Sequence, residues 1–370
     1  MNEPASKAWV LSASPSEGER RPDPSPPKAG QSRRRVAVID LGTNNCRLLI
    51  AEQVNRPYQR RAPGFRIVDS FSRIVRLGEG LSQTGTLGTQ AMDRTLAALK
   101  VCAHKIIQSG AQEVQAVATE ACRRAANGES FLAEVKAQTG IHLRTISPIQ
   151  EVQLGVSSAL PLFNKRFAHG LIFDVGGGST EVSFLKFRPG KGFTLQASLS
   201  VPLGVVNLAE SYSARGPDLT LAAYGAMAEK VYEAFADFSA QQGIGPLQRQ
   251  RQVQTVGMSG TVTTVKALEL GLKSYRRAAV DRTLFEMQNL QPIRDQLITI
   301  GHQGLQNHGC IGRDRADLVL PGIAILEGLA RAFDFSRLLV LDRGLREGLL
   351  HDIFHRKPKR RRDKRQQSTL

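Results

Sequence analysis

Two places along the chain show the same arrangement of apolar and polar positions. Each is a polar, glycine-containing segment that lies between two short apolar runs. The polar segments are 40–47, flanked by 36–39 and 48–51, and 174–181, flanked by 171–173 and 182–187. This pattern predicts a strand, a glycine-containing turn and a second strand at both places. Because Asp174 lies 134 positions after Asp40, we expect a duplicated fold whose halves face each other across a cleft.

Hydrophobic periodicity elsewhere predicts a mixed α/β chain. Apolar residues at helical spacing predict helices at 89–109, 119–127, 131–139, 150–160, 219–241 and 261–270, and mostly helix over 281–351. Short apolar runs predict strands at 114–118, 141–146, 194–199 and 253–256. A polar, Arg-rich break at 55–65 is expected to be a hairpin loop. The helix at 150–160, which Ser147 and Pro148 open, is expected to bridge the two halves.

The composition is that of a soluble globular protein. With 370 residues the chain has room for two domains, each with its own core. No apolar run approaches the ~20 residues of a membrane span, and the N-terminus lacks the features of a signal peptide. We therefore expect a cytoplasmic protein without a membrane partner. The spacing of Cys46, Cys102, Cys122 and Cys310, and that of the histidines, favours reduced thiols over a metal site or disulfides.

The formal net charge of +17 is distributed unevenly. Residues 356–370 contribute +7 and residues 1–35 contribute +3, which leaves +7 for the presumed folded part, 36–355. A basic body suits a polyanionic substrate or nucleic acid, and charge alone does not choose between them. We interpret 1–35 and 356–370 as disordered tails, 36–152 as a first domain and 153–355 as a second.

The two polar turns have the chemistry of phosphate-binding loops. Glycine lets backbone N–H groups approach an anion, and Thr, Asn and Ser side chains add further donors. Asp40 and Asp174, at the ends of the first strands, would repel phosphate by themselves. Their position makes sense if they hold Mg²⁺, which carboxylates and phosphate oxygens share. The alternative is a plain hairpin turn, although the three consecutive glycines at 176–178 are more than a turn requires.

These segments resemble the motifs of one enzyme family. Residues 40–50, 174–184 and 256–264 are similar to the two phosphate motifs and the third glycine motif of the exopolyphosphatase and guanosine pentaphosphate phosphohydrolase family, Ppx/GppA. Further matches follow in order at 76–81, 118–123, 203–210, 321–329 and 342–348. The resemblance implies two ribonuclease H-like domains of the actin-like ATPase superfamily, which includes sugar kinases and Hsp70, with an interdomain cleft. It also implies the short form of the family, without a C-terminal helical domain.

The resemblance further implies hydrolysis of a terminal phosphoanhydride, and it gives each site residue a role. Glu151 matches the family's general base. Mg²⁺ is the implied cofactor, and Asp40, Asp174 and Glu181 match the carboxylates associated with it. The implied phosphate-binding residues are Thr43, Asn44, Asn45, Arg47, Arg123, Gly176, Gly177, Gly178, Ser179, Thr180, Gly257, Ser259, Gly260 and Thr261.

Several of these residues also have a purely structural interpretation. Glu151 lies in the first turn of a predicted helix, where a Glu commonly interacts with the helix dipole. Glu181 and Arg47 could be solvated strand residues. Arg47 nevertheless takes the place of Glu181 when the two hairpins are superposed, and its planar fork suits a phosphate. The glycines at 257 and 260 suit close packing of a helix on a strand as well as phosphate binding.

One departure from the family pattern lies next to Glu151. The family commonly continues with Ala-Arg, and the Arg helps to bind phosphate, whereas Val152 and Gln153 follow here. Because Gln brings no charge, the resemblance implies weaker stabilisation of the transition state at this point.

Release of terminal orthophosphate from inorganic polyphosphate is the function that the sequence favours. One alternative is removal of the 5′-phosphate of guanosine pentaphosphate, which presents the same terminal group. Another is non-catalytic binding of polyphosphate or of alarmone nucleotides. A sugar kinase is disfavoured because residues for a sugar hydroxyl cannot be picked out. We expect no nucleic-acid partner and keep a homodimer as a candidate assembly.

Overall fold

The computed structural model describes residues 34–54, 65–213 and 219–355. The predicted tails and the predicted loop at 55–65 lie outside this range, apart from Arg34, Arg35 and Phe65. Within the described residues, no helix has both the length and the apolar character needed to span a membrane. All four cysteines are buried and free, in agreement with the prediction of reduced thiols.

Strands and helices alternate along the described chain. The strands are β1 (Arg35–Leu41), β2 (Asn45–Gln53), β3 (Phe65–Ile74), β4 (Glu113–Ala118), β5 (Leu143–Thr145), β6 (His169–Val175), β7 (Thr180–Arg188), β8 (Gly192–Val201), β9 (Val253–Met258), β10 (Thr283–Glu286) and β11 (Arg337–Leu341). The helices are α1 (Leu81–Thr84), α2 (Thr89–Ser109), α3 (Glu120–Arg124), α4 (Gly128–Thr139), α5 (Pro148–Ala159), α6 (Val205–Ser213), α7 (Leu221–Gln242), α8 (Ile244–Arg249), α9 (Gly260–Glu269), α10 (Arg277–Val280), α11 (Leu290–Asn307), α12 (Val319–Phe333) and α13 (Leu345–His355).

The strands form two sheets that share one order. The first sheet runs β3-β2-β1-β4-β5, and the second runs β8-β7-β6-β9-β11 with β10 added at its edge. In each sheet the first three strands form an antiparallel meander, and the fourth pairs in parallel with the first. The fifth strand is parallel to the fourth in both. This repetition confirms the predicted duplicated α/β fold.

Strand β1 is buried on both faces, which explains its continuous apolar sequence. Ala37 and Ile39 pack in a core cluster with residues of α2 and α4. Val36 and Val38, which alternate with them and therefore face the other way, pack in a cluster with residues of α5 and α13. The first sheet is thus the middle layer of an α/β/α sandwich.

Helix α5 bridges the two sheets, as predicted. Leu154 packs in the cluster that covers the first sheet. Val152 and Val156 pack against Ile172 of β6, in a cluster that belongs to the second sheet. The start of this helix is therefore fixed between the two halves of the molecule.

The last helix, α13, returns from the second sheet to the first. Its residues Leu349 and Ile353 pack with β1, although α13 directly follows β11. Close crossing with α5 requires glycine at position 348, because a Cβ there would lie 2.2 Å from the carbonyl oxygen of Leu154. The chain therefore passes between the halves twice. The domain division at 152 and 153 stays a prediction, and α13 packs on the side of the first sheet.

The prediction of mostly helix over 281–351 is confirmed, although two strands that were not predicted lie within this segment. β11 lies between β9 and β10, and β10 forms the edge of the sheet. A short apolar run such as 337–341 does not distinguish a buried strand from a helical segment. The helix predicted at 119–127 is limited to α3, and α6 was not predicted. The other predicted elements are present with ends shifted by up to three residues.

Candidate active site

The two predicted hairpins have the same strand pairing where they meet the cleft. Asp40 pairs with Arg47 across β1 and β2, and Asp174 pairs with Glu181 across β6 and β7. The register therefore confirms that Arg47 takes the place of Glu181 in the first hairpin. All four residues line one cavity. The duplicated fold therefore brings a basic residue, Arg47, and an acidic residue, Glu181, to equivalent positions around it.

Glycines occupy the second loop because the first loop packs directly against it. A Cβ at Gly177 would lie 3.1 Å from the Cβ of Asn44. At Gly178 it would lie 2.0 Å from Glu120 Oε2 and 2.8 Å from Thr43 Oγ1. None of the glycines at 176–178 has a left-handed φ. Close approach of the two loops, and not a special turn conformation, is what these glycines provide.

Glu120 is a buried carboxylate that ties the two loops together. Its side chain is 5% exposed. Oε2 accepts a hydrogen bond from Thr43 Oγ1 at 2.9 Å, and Oε1 accepts one from Arg124 Nη1 at 2.6 Å. Since Glu120 Oε2 also lies against Gly178, residues from three separate segments meet at this carboxylate.

The loops enclose a cavity of about 130 Å³. Most of the residues predicted from the sequence line it. These are Asp40, Thr43, Asn44, Asn45, Arg47, Glu151, Asp174, Gly176, Gly177, Gly178, Ser179, Glu181, Ser259, Gly260 and Thr261. Four separate parts of the chain therefore converge on a single cavity.

Three predicted residues lie outside the cavity lining. Gly257 is inside β9, where a Cβ would lie 2.8 Å from the ring of Phe173, so its role here is close packing. Thr180 is fully buried and donates its hydroxyl to the carbonyl oxygen of Leu203 at 2.5 Å. Arg123 lines a neighbouring groove instead.

Glu151 is held at the cleft by the cap of α5. The Ser147 side chain accepts a hydrogen bond from the N–H of Gln150, and the Gln150 side chain accepts one from the N–H of Ser147. Arg123 Nη1 lies 3.4 Å from Glu151 Oε2 and donates to the carbonyl oxygen of Ile146 at 2.7 Å. Glu151 thus lies in the first turn of a fixed helix, with one arginine beside it.

The carboxylates around the cavity share an unfavourable electrostatic environment. Burial raises the pKa of Asp40, and the neighbouring Arg47 opposes this shift. Burial and then repulsion by Glu181 raise the pKa of Glu151 well above its usual range. The same two causes raise the pKa of Asp174 to about 7. These groups therefore bind protons, or another cation, more readily than exposed carboxylates do.

Glu181 has the most complete set of hydrogen bonds among these acids. Burial raises its pKa, whereas hydrogen bonds from Ser179 and Ser200 lower it. Both serines donate to Oε1, at 2.6 Å and 2.8 Å. The second oxygen, Oε2, receives neither of these bonds, which leaves it for a ligand in the cavity.

Three buried polar atoms of the predicted loops have no hydrogen-bond partner among the described residues. They are Asn44 Oδ1, Asn45 Oδ1 and Ser259 Oγ. Such atoms are rare in folded proteins. Ser259 also has a φ of 119°, a conformation that costs energy in a residue with a side chain. Unsatisfied groups and backbone strain at one cavity are typical of a ligand-binding site.

Two arginines, Arg47 and Arg315, approach the same point next to Gly260. Arg47 Nη2 and Arg315 Nη1 each lie 4.0 Å from the position of a Cβ at Gly260. Burial and then repulsion by Arg47 lower the pKa of Arg315. Neither arginine forms an ion pair with another residue in the part of the chain that the structure describes. A bound anion would offset this repulsion.

Further contacts hold the two halves together beside the cavity. Arg76 forms a two-pronged ion pair with Asp317, with both N···O distances at 2.8 Å. The carboxylate of Glu210 accepts hydrogen bonds from the N–H of Gly80 and the hydroxyl of Ser82, both at 2.8 Å. These contacts join loops of the first half to α6 and the segment before α12.

Comparison with known proteins identifies the family. The model of the Ppx/GppA phosphatase family matches residues 57–357. The chain belongs to the Ppx/GppA phosphatase family. Exopolyphosphatase 2 of Mycobacterium tuberculosis is 31% identical over 302 residues, which cover 80% of this chain and 90% of the relative.

Solved structures of Ppx/GppA proteins share the fold. A crystal structure of the Aquifex aeolicus family member is 28% identical, with a TM-score of 0.68 over 87% of this chain and 98% of that one. The structure of an exopolyphosphatase from Cytophaga hutchinsonii, at 22% identity, has a TM-score of 0.74 over 86% of this chain and 97% of that one, and shows the fold alone. The expected pair of ribonuclease H-like halves of the actin-like superfamily is therefore confirmed.

Sequence reasoning missed three charged residues of this Ppx/GppA site. Glu120 and Arg315 line the cavity. The charge of Arg346 acts on Asp40, and its guanidinium lies near the carbonyl oxygen of Leu48, at 3.5 Å. Glu120 and Arg346 are inside motifs that were recognised, and only their place in the cavity was unknown. Gln153 is exposed and is not among the residues that line the cavity.

Proposed function

We propose that this chain is an exopolyphosphatase, which releases terminal orthophosphate from inorganic polyphosphate with Mg²⁺ and with Glu151 as the general base. The observation that carries the proposal is the position of Glu151. Its carboxylate lines the same cavity as both phosphate loops, and its pKa is raised by burial and by Glu181. The name of the Mycobacterium tuberculosis relative supports the choice of substrate.

Glu151 has the properties that a base for water requires. A carboxylate with a raised pKa holds a proton more strongly, so it removes one from water more effectively near neutral pH. Arg123, at 3.4 Å, keeps the carboxylate in place. In the proposed reaction the water oxygen attacks the terminal phosphorus, and its proton passes to Glu151. The bond from phosphorus to the bridging oxygen breaks, and the shortened chain leaves with that electron pair.

Cationic and backbone groups would hold the phosphates in line. The N–H groups of the two loops suit the terminal phosphate. Arg47 and Arg315, which repel each other at Gly260, suit a second phosphate that both could bind. The Ser259 hydroxyl, which lacks a partner, can donate to the same anion. Together, the two loops, the two arginines and Ser259 offer more phosphate contacts than one orthophosphate needs, so they fit a chain of phosphates better.

The donor set also fits Mg²⁺. Asp40, Asp174 and Glu181 would hold the ion. Burial raises the pKa values of these three groups, and the positive charge of the ion would favour their ionised forms. In residues 34–54, 65–213 and 219–355, no three Asp, Glu, His or Cys side chains are grouped closely enough to hold a metal alone. Mg²⁺ commonly uses one or two carboxylates and completes its shell with water and phosphate oxygens. When bound, the ion would neutralise charge on the substrate phosphates.

A second cavity favours one alternative, 5′-phosphohydrolysis of guanosine pentaphosphate. This cavity, of about 480 Å³, shares Asn44 and Leu318 with the first. Its volume is in the range of small-molecule sites. Leu297 and Ile298 give it apolar walls, and Arg76 adds a polar group. A nucleoside attached to the phosphates could extend into this space, whereas polyphosphate would have no use for apolar walls.

The test compares phosphate release from long-chain polyphosphate and from guanosine pentaphosphate, with Mg²⁺, for the parent and Glu151→Gln. We expect polyphosphate to be the better substrate and the variant to lose about 10²–10⁴-fold in kcat while binding is retained. A preference for the nucleotide would establish the alternative. Binding without release by either protein would indicate a regulatory binder. Equal release by both would leave the enzyme and remove Glu151 as its base.

A further inference from the structure

We propose that the orthophosphate formed at Glu151 leaves the cleft through a separate side groove lined by Arg123, Arg124, Ser198 and Ser200. This inference rests on the proposed hydrolysis. The groove has a volume of about 410 Å³, which is ample for one orthophosphate. Two guanidinium groups and the hydroxyl group of Ser198 give it donors for such an anion, whereas the Ser200 hydroxyl donates to Glu181. Nothing in the hydrolytic step itself requires this second polar groove.

The groove adjoins the catalytic cavity. Glu120 and Ser179 line both spaces, so these two residues lie at the boundary between them. Arg124 Nη1 donates to Glu120 Oε1 at 2.6 Å, and it is 43% exposed on the groove side. An anion that moves toward Arg124 competes with Glu120 for the guanidinium. If phosphate replaced the Glu120 carboxylate as the partner of Arg124, the cavity would connect to the groove without a change in the fold.

The groove lies on the Glu151 side of the cavity. Arg123 lines the groove and contacts Glu151 at 3.4 Å. Pro148, in the same helical turn as Glu151, also lines it. Arg47 and Arg315 line the catalytic cavity but are not among the groove residues. The arginines proposed to bind the rest of the phosphate chain therefore line the cavity alone, and the groove is next to Glu151.

In-line transfer makes this separation useful. The attacking water and the leaving chain lie on opposite sides of the phosphorus. Once the bond has broken, orthophosphate is next to Glu151, and the shortened chain remains with Arg47 and Arg315. If orthophosphate leaves through the groove, the chain does not have to dissociate first. It can advance by one phosphate and react again.

Ser198 allows a test that leaves the catalytic residues intact. It lines the groove on edge strand β8 and is not among the residues that line the catalytic cavity. Ser198→Trp fills the groove, and Ser198→Glu places a negative charge in it. Gln196→Trp is the matched control, because Gln196 is exposed on the same strand and lines neither space.

The measurement compares bond cleavage, by chemical quench in a single turnover, with the appearance of free orthophosphate, by a fluorescent phosphate sensor, on long-chain polyphosphate. For Ser198→Trp and Ser198→Glu we expect cleavage within about twofold of the parent, while release and kcat fall by about fivefold or more. Gln196→Trp should match the parent in both. The parent should shorten chains processively, without accumulating intermediate lengths.

Three results would overturn the inference. Release at the parental rate in both Ser198 variants would show that the groove is not the exit. Equal slowing of cleavage and release would show that the groove holds the substrate chain. Slow release in Gln196→Trp would assign the effect to strand β8 in general. A parent that cleaves no polyphosphate at all is a different result, because it removes the proposed function and this inference with it.

Discussion

Arg47 and Glu181 occupy the same position in the two hairpins, each paired across its turn with an aspartate. The repeated fold therefore brings one cation and one anion to equivalent places around a single cavity. Asp174 and Glu181 concentrate negative charge on the second hairpin, which suits a metal ion. On the first hairpin, the positive charge of Arg47 balances the negative charge of Asp40, and this neutral pair suits a phosphate. The duplication provides the geometry, and in the proposed function the change of one residue distinguishes the metal-binding hairpin from the phosphate-binding one.

Arg47→Lys should weaken substrate binding although the charge is retained. Lysine cannot reproduce the planar fork of arginine on a phosphate. We expect the KM for polyphosphate to rise by about tenfold, which corresponds to about 1.4 kcal/mol, with a smaller change in kcat. Arg73→Lys is the control, because Arg73 is exposed on the adjacent strand and lines no part of the cavity. An unchanged KM in Arg47→Lys would show that Arg47 does not contact the phosphates.

Asp174→Asn should change how stability depends on pH in the metal-free protein. Burial and Glu181 raise the pKa of Asp174 to about 7, whereas an Asp in an unfolded chain titrates near about 3.9. Between these values the folded protein holds a proton that the unfolded chain has released. The stability that this proton provides is complete below a pH of about 4 and is lost as the pH rises through about 7.

The asparagine side chain in the variant carries no charge at any pH, so the variant should not lose this stability as the pH rises. In EDTA, its free energy of unfolding relative to the parent should increase by about 1–3 kcal/mol between a pH of about 4.5 and a pH of about 8. Denaturant unfolding of both proteins measures the difference. Added Mg²⁺ at the higher pH should stabilise the parent more than the variant. A difference that does not vary with pH would show that Asp174 stays ionised throughout.

Gly178→Ala should disturb the contact between the loops. The new methyl group would lie 2.0 Å from Glu120 Oε2, so Glu120 would have to leave Thr43 and Arg124. We expect a loss of about 1–3 kcal/mol in stability, visible as a lower Tm, together with reduced activity. The double variant Gly178→Ala, Glu120→Ala removes the closest clashing atoms, leaves Thr43 Oγ1 at 2.8 Å, and should recover part of the Tm. A double variant as unstable as the single one would place the strain elsewhere.

Arg76→Lys should loosen the contact between the two halves. The Arg76–Asp317 fork is about one-third exposed, and such a pair contributes about 1 kcal/mol or less. We therefore expect kcat/KM to fall by about two- to fivefold, with little change in Tm. Arg331→Lys alters a comparable pair with Glu229, at 2.7 Å, that joins two helices of the second half only. Equal effects of both variants on kcat/KM would argue against a role for the closure of the halves.

The parts of the structure that depend on local sequence could be predicted. Each hairpin is contained within about twenty residues, so the apolar runs and glycines were enough to give its strands and the equivalence of Arg47 and Glu181. The cap of α5 is similarly local, since Ser147 and Gln150 are three positions apart. These two features account for most of the cavity lining.

Features that depend on distant contacts could not be predicted. β11 has the same apolar composition as a buried helical segment, and only its place between β9 and β10 makes it a strand. Arg315 reaches the cavity because α12 brings its preceding segment against the first hairpin. Gly257 was recognised as part of a glycine motif, but the ring of Phe173, 84 positions earlier, determines why it is glycine. Periodicity carries no information about such neighbours.

The two passages of the chain between the halves restrict how the cleft can move. They lie side by side, with Gly348 of α13 against the carbonyl of Leu154 in α5. Two adjacent covalent connections form a hinge with a single axis, which permits rotation and resists sliding or separation of the halves. If the halves rotate, the contact between α5 and α13 would be the axis about which the cavity opens and closes. Because Glu151 lies on α5, the proposed base would stay near this axis while the phosphate loops move.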